Sequence, residues 1–321
     1  MNSLKTKRKI LITAFAVLLV FIGCTDVTEV NPPPLEENSI VFYGDTRVHH
    51  DVHMEMVDNI REIKPQAVFH LGDAVTDGGN AEEWVEFDKI VNSLRKTTSF
   101  YPVVGNHEKG VDQMEYATRW DMSIGQSYYS LDLLKNGELN QLPITIEAET
   151  DYTQTEIENV AAHLVVLNSM PGFLSEGEQQ YQWLINDLLE YEGTPVILIF
   201  HIGMYMAGVH AEETGENHAT PVLYDIVADE RFNIVACING HDHAYERFIV
   251  DGIQHIVTGC AGESPKDLLQ PDHPFLIESE TVHHMTVMQV LNDPATGDYY
   301  LQFNVYNIER EIIDSFSIEL E

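Results

Sequence analysis

Short apolar runs alternate with segments of helical periodicity through the first 240 residues of the chain. Val52, Met56, Ile60 and Ile63 recur at the spacing of one helix face, and the segment ends before Pro65. The predicted helices are 52–63, 81–94 and 176–189, and the predicted strands are 39–43, 67–71, 100–104, 163–167, 196–200 and 232–238. Such alternation predicts an α/β fold in which helices cover a sheet.

Beyond residue 253 the pattern becomes rich in strands. The predicted strands in this part are 253–257, 284–290, 299–306 and 312–318. They favour a second sheet packed on the first. Residues 134–160 are polar and have no clear period, so we predict an excursion loop there.

The N-terminus resembles an export signal. A basic start precedes the apolar run 10–22, which is too short for a membrane span of about 20 residues. Gly23-Cys24 follows, as in bacterial lipoprotein signals, whereas a plain secretory signal and an uncleaved anchor are the alternatives. We expect residues 1–24 to be a signal peptide, 25–38 a flexible tether and 39–321 one domain. The protein would then be exported and lipid-anchored through Cys24 to the bacterial cell envelope, on its periplasmic or extracellular face.

Charge and cysteine usage narrow the possible partners. The chain has 52 acidic against 17 basic residues, a formal net charge of −35, which disfavours nucleic acid and anionic membrane surfaces. An anionic substrate would need local cations, and contact with a membrane is expected only through the lipid on Cys24.

Cys237 and Cys260 lie in apolar runs, where they could form a disulfide or remain buried thiols.

Five apolar runs end in residues that can bind a metal ion. These residues are Asp45, Asp73, Asn106, His201 and the pair His241 and His243, and Gly precedes four of the five positions. Residues at the carboxyl ends of strands lie together at the edge of an α/β sheet. A mixed set of oxygen and nitrogen ligands suits Mn, Zn, Fe or similar ions. The pattern therefore predicts a metal site.

Three motifs carry a resemblance to a known family. Gly105-Asn106-His107-Glu108, the run 240–247 (GHDHAYER) and the run 180–184 (QYQWL) are similar to the calcineurin-like metallophosphoesterases, and among them to the purple acid phosphatase branch. The resemblance spans about residues 39–320 and implies a four-layer αββα sandwich, with helices outside two mixed sheets. It also implies a small phosphorylated substrate.

The resemblance implies a role for each matching residue. Asp73 would bridge two metal ions (Fe, Mn or Zn), Asp45 and His243 would hold the first, and Asn106, His201 and His241 would hold the second. His107 would face the phosphate or the leaving group. His210 would bind substrate or donate a proton, although it could also be an ordinary loop histidine.

Two positions depart from the family pattern. Thr76 stands where purple enzymes have an iron-binding Tyr, so no tyrosinate–iron colour is expected. Arg47 stands where other members have a metal-binding His. Water, Asp77, or a histidine at position 49 or 50 could complete the first site. Arg47 itself could grip phosphate oxygens or pair with a nearby acid.

These residues point to a metal-dependent phosphohydrolase, a mono- or diesterase. The expected reaction at a binuclear site is in-line attack of metal-bound hydroxide on phosphorus, assisted by His107 or His210. The sequence has no GxSxG motif that would indicate a serine nucleophile. The alternative is a catalytically impaired surface lipoprotein of the same fold that binds a metal or another ligand.

Overall fold

The computed structural model describes residues 38–108, 114–120, 122, 127–140, 157–213 and 221–320. The predicted signal peptide and its Cys24 lie outside these ranges, as does nearly all of the predicted tether. The chain from Pro34 to Glu321 forms one compact unit. Within the described residues, we find no helix with the length and apolar character needed to cross a bilayer.

Two mixed β-sheets form the framework. The strands are β1 Ile40–Tyr43, β2 Ala67–His70, β3 Ser99–Pro102, β4 Tyr129–Leu134, β5 Leu139–Asn140, β6 Val160–Val166, β7 Val196–Phe200, β8 Ile234–Asn239, β9 Tyr245–Val250, β10 Ile253–Thr258, β11 Leu276–Glu280, β12 His284–Asn292, β13 Tyr299–Asn307 and β14 Ile312–Leu320. One sheet has the order β14-β13-β12-β1-β2-β3, and the other has the order β11-β9-β10-β8-β7-β6-β4-β5. Strands β1 to β3 are parallel to one another in the first sheet, and β6, β7, β8 and β10 are parallel to one another in the second.

Five helices are described: α1 His50–Ile63, α2 Ala81–Arg95, α3 Met114–Arg119, α4 Gln179–Glu190 and α5 Val222–Val227. Alternate residues of β1 point to different layers. Ile40 and Phe42 join the core between the sheets, whereas Val41 and Tyr43 pack against side chains of α1 and α2. The outer face of β7 packs against α4 and α5 in the same way. The predicted four-layer αββα sandwich is therefore confirmed.

Some boundaries and elements differ from the sequence prediction. Helix α4 begins at Gln179, three residues later than predicted, because Gly177 has φ +89° and the N-cap Glu178 is extended. Strands β9 and β11 were not predicted, since their charged residues interrupt the apolar pattern. The described ends of the predicted loop 134–160 hold β5 and the first residue of β6.

A buried charged cluster joins β4, β6 and α4. The ring of His163 is fully buried between two carboxylates, with Nδ1 2.7 Å from Asp132 and Nε2 2.9 Å from Asp187. Tyr191 stacks on this ring at 3.6 Å and donates its hydroxyl proton to Asp132. Because ionised carboxylates only accept hydrogen bonds, both ring nitrogens carry protons and His163 is a buried cation.

This cation gives the protein a testable pH dependence. Burial by itself lowers the pKa of His163, but hydrogen bonds to Asp132 and Asp187 outweigh it and raise the pKa to about 9. Between pH 6.5 and 9 the native state holds a proton that the unfolded chain releases, so stability falls as the pH rises. Over this pH range the free energy of unfolding of the wild type should fall by on the order of 3 kcal/mol more than that of His163→Gln. Urea unfolding of both proteins measures the difference. Equal pH slopes in the two proteins would refute the assignment.

Candidate metal centre

Strand ends from both sheets meet at one end of the sandwich. Asp45, Asp73 and Asn106 follow β1, β2 and β3 of one sheet, whereas His201 and His241 follow β7 and β8 of the other. The sequence prediction placed them at the edge of a single sheet. Face-to-face packing aligns the carboxyl ends of the two parallel sets, so the site draws on both.

The backbone turns sharply where these residues begin. Asp45, Asp73 and His241 adopt left-handed conformations with φ of 54°, 53° and 74°. Such strain in residues other than Gly concentrates at functional sites. Close approach explains two of the glycines: a Cβ on Gly240 would lie 2.6 Å from Asp45 Oδ2, and one on Gly105 would overlap Asp73 Oδ1.

Three other atoms that can bind a metal ion lie close to the Nε2 atom of His201. This nitrogen lies 2.9 Å from Asn106 Oδ1, 3.2 Å from His241 Nδ1 and 3.4 Å from Asp73 Oδ1. The other ring nitrogen, Nδ1, is 2.7 Å from the carbonyl oxygen of Leu71 and must donate its proton there. Burial is the main cause that lowers the pKa of His201, to about 4, so its ring is neutral and Nε2 carries a lone pair.

This donor set fits a metal ion. A lone pair on His201 Nε2 that faces the side-chain oxygens of Asn106 and Asp73 is repelled by them unless a cation lies between. Ligands bound at about 2.0–2.2 Å around one ion are separated by about 3.0–3.5 Å, which the observed spacings match. Asp73, Asn106, His201 and His241 would therefore hold an ion at what we call the second position.

Glu213 connects two histidines of the site. Its carboxylate accepts from His241 Nε2 at 2.9 Å and from His210 Nδ1 at 2.9 Å, and the His210 and His241 rings lie 4.1 Å apart. The hydrogen bond from His241 is the main cause that lowers the pKa of Glu213, to about 2. A carboxylate on Nε2 leaves Nδ1 of His241 free to bind a metal, as is common for metal-bound imidazoles. The structure thus places His210 beside His241 and Glu213.

Two acids of the 240–247 motif hold the segment before His210. Asp242 accepts from the backbone N–H groups of Gly208 and Val209, at 2.8 and 2.9 Å, and Glu246 accepts from Ala207 at 2.6 Å. Burial is the main cause that raises the pKa of Glu246 well above its usual range, with Asp242 adding to the effect. The motif therefore fixes a loop as well as supplying ligands.

Glu108 holds two strand ends together from beneath the site. Its buried carboxylate accepts from Asp73 N at 2.8 Å, Ala74 N at 2.7 Å and Gly105 N at 2.6 Å. Burial first, and then the charge of Asp73, raise the pKa of Glu108 to about 8. These bonds fix Asp73 relative to the loop that carries Asn106.

On the other side of Asp73 lie Asp45, His243 and the ion pair of Arg47 and Glu263. His243 Nε2 is 3.8 Å from Asp45 Oδ1, and Arg47 Nε is 2.8 Å from Glu263 Oε1. The Arg47 contact is a charge contact only, because its N–H is not aligned with the oxygen. Burial, followed by the charge of Asp73, raises the pKa of Asp45 well above its usual range, and burial is the main cause that lowers that of His243 to about 3.

These observations agree with the comparisons at the level of family. A model of the family described as calcineurin-like phosphoesterase matches residues 39–245, which is well over half of the chain. The chain belongs to the calcineurin-like phosphoesterase family. No curated protein matches the sequence.

Solved structures share this calcineurin-like fold at low sequence identity. The purple acid phosphatase PPD1 from yellow lupin (Lupinus luteus) seeds has a TM-score of 0.64 and 15% identity, over 88% of this chain and 53% of that one. This chain therefore spans about half of the lupin protein. GAP50, the anchor in the inner membrane complex of Plasmodium, has a TM-score of 0.59 and 14% identity, over 88% of this chain and 89% of that one. A dimetal phosphatase from Danio rerio has a TM-score of 0.54 and 14% identity, over 90% of this chain and 100% of that one.

Thr76, and two residues that could complete the first site of this calcineurin-like chain, make contacts elsewhere. Thr76 is exposed, and its carbonyl oxygen accepts from His107 Nδ1 at 2.8 Å. Asp77 accepts from Gly79 N at 2.9 Å, and His49 Nε2 is 2.8 Å from Ser264 Oγ. We call the place beside Asp45 and His243, where the resemblance implies the first ion, the first position. These contacts bring neither Asp77 nor His49 to it.

His107 lies beside Asp73, on the more open side of the site. Its backbone N–H donates to Asp73 Oδ1 at 3.0 Å, and its Nε2 is 3.8 Å from Asp73 Oδ2. Its side chain is 29% exposed, compared with 2% for Asp73. Such a position suits the predicted contact with substrate.

Sequence reasoning missed three acids that shape this phosphoesterase site. Glu108 belongs to a motif that was recognised, but no role was assigned to it. Glu213 lies three residues after His210, a spacing at which a helical turn brings side chains together. Nothing in the sequence singles out Glu263, which comes from a loop after β10. Cys237 and Cys260 are free buried thiols, which settles the alternatives left open above.

Proposed function

We propose that this protein is a metal-dependent phosphohydrolase acting on a small phosphorylated substrate. The convergence of Asn106, His241 and Asp73 on the lone pair of His201 supports this proposal most strongly. A cation held there lowers the pKa of a bound water and offsets charge on phosphate oxygens. It would also give an anionic substrate a local positive field within a strongly acidic protein.

Protein side chains supply the remaining functions. Arg47 and His107 would bind phosphate oxygens from the side of Asp73 that faces away from His201. His210, with Nδ1 bonded to Glu213, keeps Nε2 available to the substrate and, in the imidazolium form, would protonate a leaving oxygen there. Leu71 and Glu213 hold His201 and His241 in the tautomers that metal binding requires.

Hydrolysis of chromogenic esters tests the proposal. The full-length protein is stripped with a chelator and then supplied with Mn, Zn or Fe in the presence of a phosphomonoester or a phosphodiester. We expect turnover only with added metal, and the preferred ester identifies the substrate class. Asn106→Ala and His241→Ala should each lower kcat/KM by more than about 100-fold, the upper range for residues that only support ligands. Unchanged rates in both variants would show that the site is wrongly assigned.

One observation favours a second candidate function. The ion pair of Arg47 and Glu263 lies where the family resemblance implies a metal ion. A catalytically impaired protein that binds a metal or another ligand is therefore the alternative. Stoichiometric metal binding without turnover of either ester, under any metal addition, would favour it.

A further inference from the structure

The two carboxylate oxygens of Asp73 face different partners. Oδ1 lies 3.4 Å from His201 Nε2, on the side of the second position. Oδ2 lies 3.6 Å from Arg47 Nε. A carboxylate that bridges two cations directs one oxygen to each, and here the cation beside Oδ2 is a guanidinium.

Arg47 is fixed in this place by its surroundings. Its side chain is 17% exposed, and its partner Glu263 is 7% exposed. Glu263 is itself tied to the strand end, because its backbone N–H donates to the carbonyl oxygen of Asp45 at 2.8 Å. The two loops are also in close contact, since a Cβ on Gly262 would lie 2.8 Å from Thr46 Cα. Removing the guanidinium would leave the buried Glu263 carboxylate without its paired cation.

Arg47 places a positive charge among three buried acids at the first position, which is the place beside Asp45 and His243. Asp45, Asp73 and Glu263 are buried acids, and Arg47 offsets one of their three formal charges. A divalent ion at the second position would add positive charge on the other side of Asp73. A second divalent ion beside the guanidinium would instead place like charges in contact.

We propose that the Arg47–Glu263 ion pair takes the place of the first metal ion, so that the protein binds one ion, at the second position only. This inference rests on the proposed metal-dependent function. Within that function, a fixed guanidinium supplies the positive charge that a first ion would otherwise bring to the phosphate.

Counting bound ions in the wild type is the primary test. The metal-free, full-length protein is titrated with Mn²⁺, and bound metal is measured by elemental analysis and by electron paramagnetic resonance. We expect one equivalent, with the six-line spectrum of an isolated ion. Two equivalents with an exchange-coupled spectrum would overturn the inference and leave the proposed function standing. In that case Asp45 Oδ1 and His243 Nδ1, which are buried and lack hydrogen-bond partners among the described residues, would be explained by a first ion.

Three variants make the test specific. Asn106→Ala should reduce the count from one to zero, whereas His243→Ala should leave it at one. Arg47→His, which removes the guanidinium and adds a ligand, should raise the count to two. A count that stays at one in Arg47→His would contradict the claim that Arg47 excludes the first ion. No bound ion in the wild type would overturn both the inference and the proposed metal-dependent function.

Discussion

Replacing His201 with alanine is expected to abolish metal binding and to lower kcat/KM by more than about 100-fold. Asn106, His241 and Asp73 all converge on its Nε2 atom, so the change removes the nitrogen at the centre of the donor set. Loss of a ligand should exceed the roughly 10- to 100-fold effect of losing a residue that only supports one. Steady-state kinetics and metal analysis of the purified variant measure both effects.

Two controls separate loss of a ligand from loss of the fold. His273→Ala removes a histidine that packs against Tyr205 and Phe248 and is not one of the predicted ligands, and it should keep wild-type activity. Added imidazole should restore part of the activity of His201→Ala by occupying the vacated space. Wild-type metal content in His201→Ala would show that the donor set has been misread.

The convergence of these side chains could be predicted because it depends on strand order and polarity alone. A residue that directly follows a buried parallel strand lies at the edge of its sheet wherever the loops go. Asp45, Asp73 and His201 satisfy this rule, and their donor atoms lie within 4.8 Å of one another. Sequence reasoning did not reveal that two sheets contribute, because the packing of one sheet on the other has no local signature.

The residues that complete the site depend on the path of the loops. Glu213 and Glu263 approach His241 and His243 from other segments of the chain. The three-residue spacing of Glu213 from His210 is a weak local signal, and Glu263 has none. The role of Arg47 shows the same limit. Its identity marked a departure from the family pattern, but only the structure shows that its guanidinium lies against Glu263.

Replacing Glu108 with alanine is expected to destabilise the metal-free protein by about 4 kcal/mol. The change leaves four buried N–H groups, those of Asp73, Ala74, Val75 and Gly105, without their acceptor. Each such loss costs about 1–3 kcal/mol, and the vacated space adds to it. Urea unfolding of wild type and variant measures the difference. Metal affinity should also fall about 10- to 100-fold, because Asp73 and the Asn106 loop lose their common support.

Glu83→Ala is the matched control for Glu108→Ala. Glu83 also accepts from backbone N–H groups of a loop, Thr76 at 2.6 Å and Asp77 at 3.2 Å, but these groups are exposed. Water replaces the lost acceptor there, so the expected cost is about 1 kcal/mol or less. If the two variants were equally stable, burial of the Glu108 contacts would not be what holds these strand ends. A large gap, with weakened metal binding only in Glu108→Ala, would show that this one carboxylate links the stability of the fold to the geometry of the metal centre.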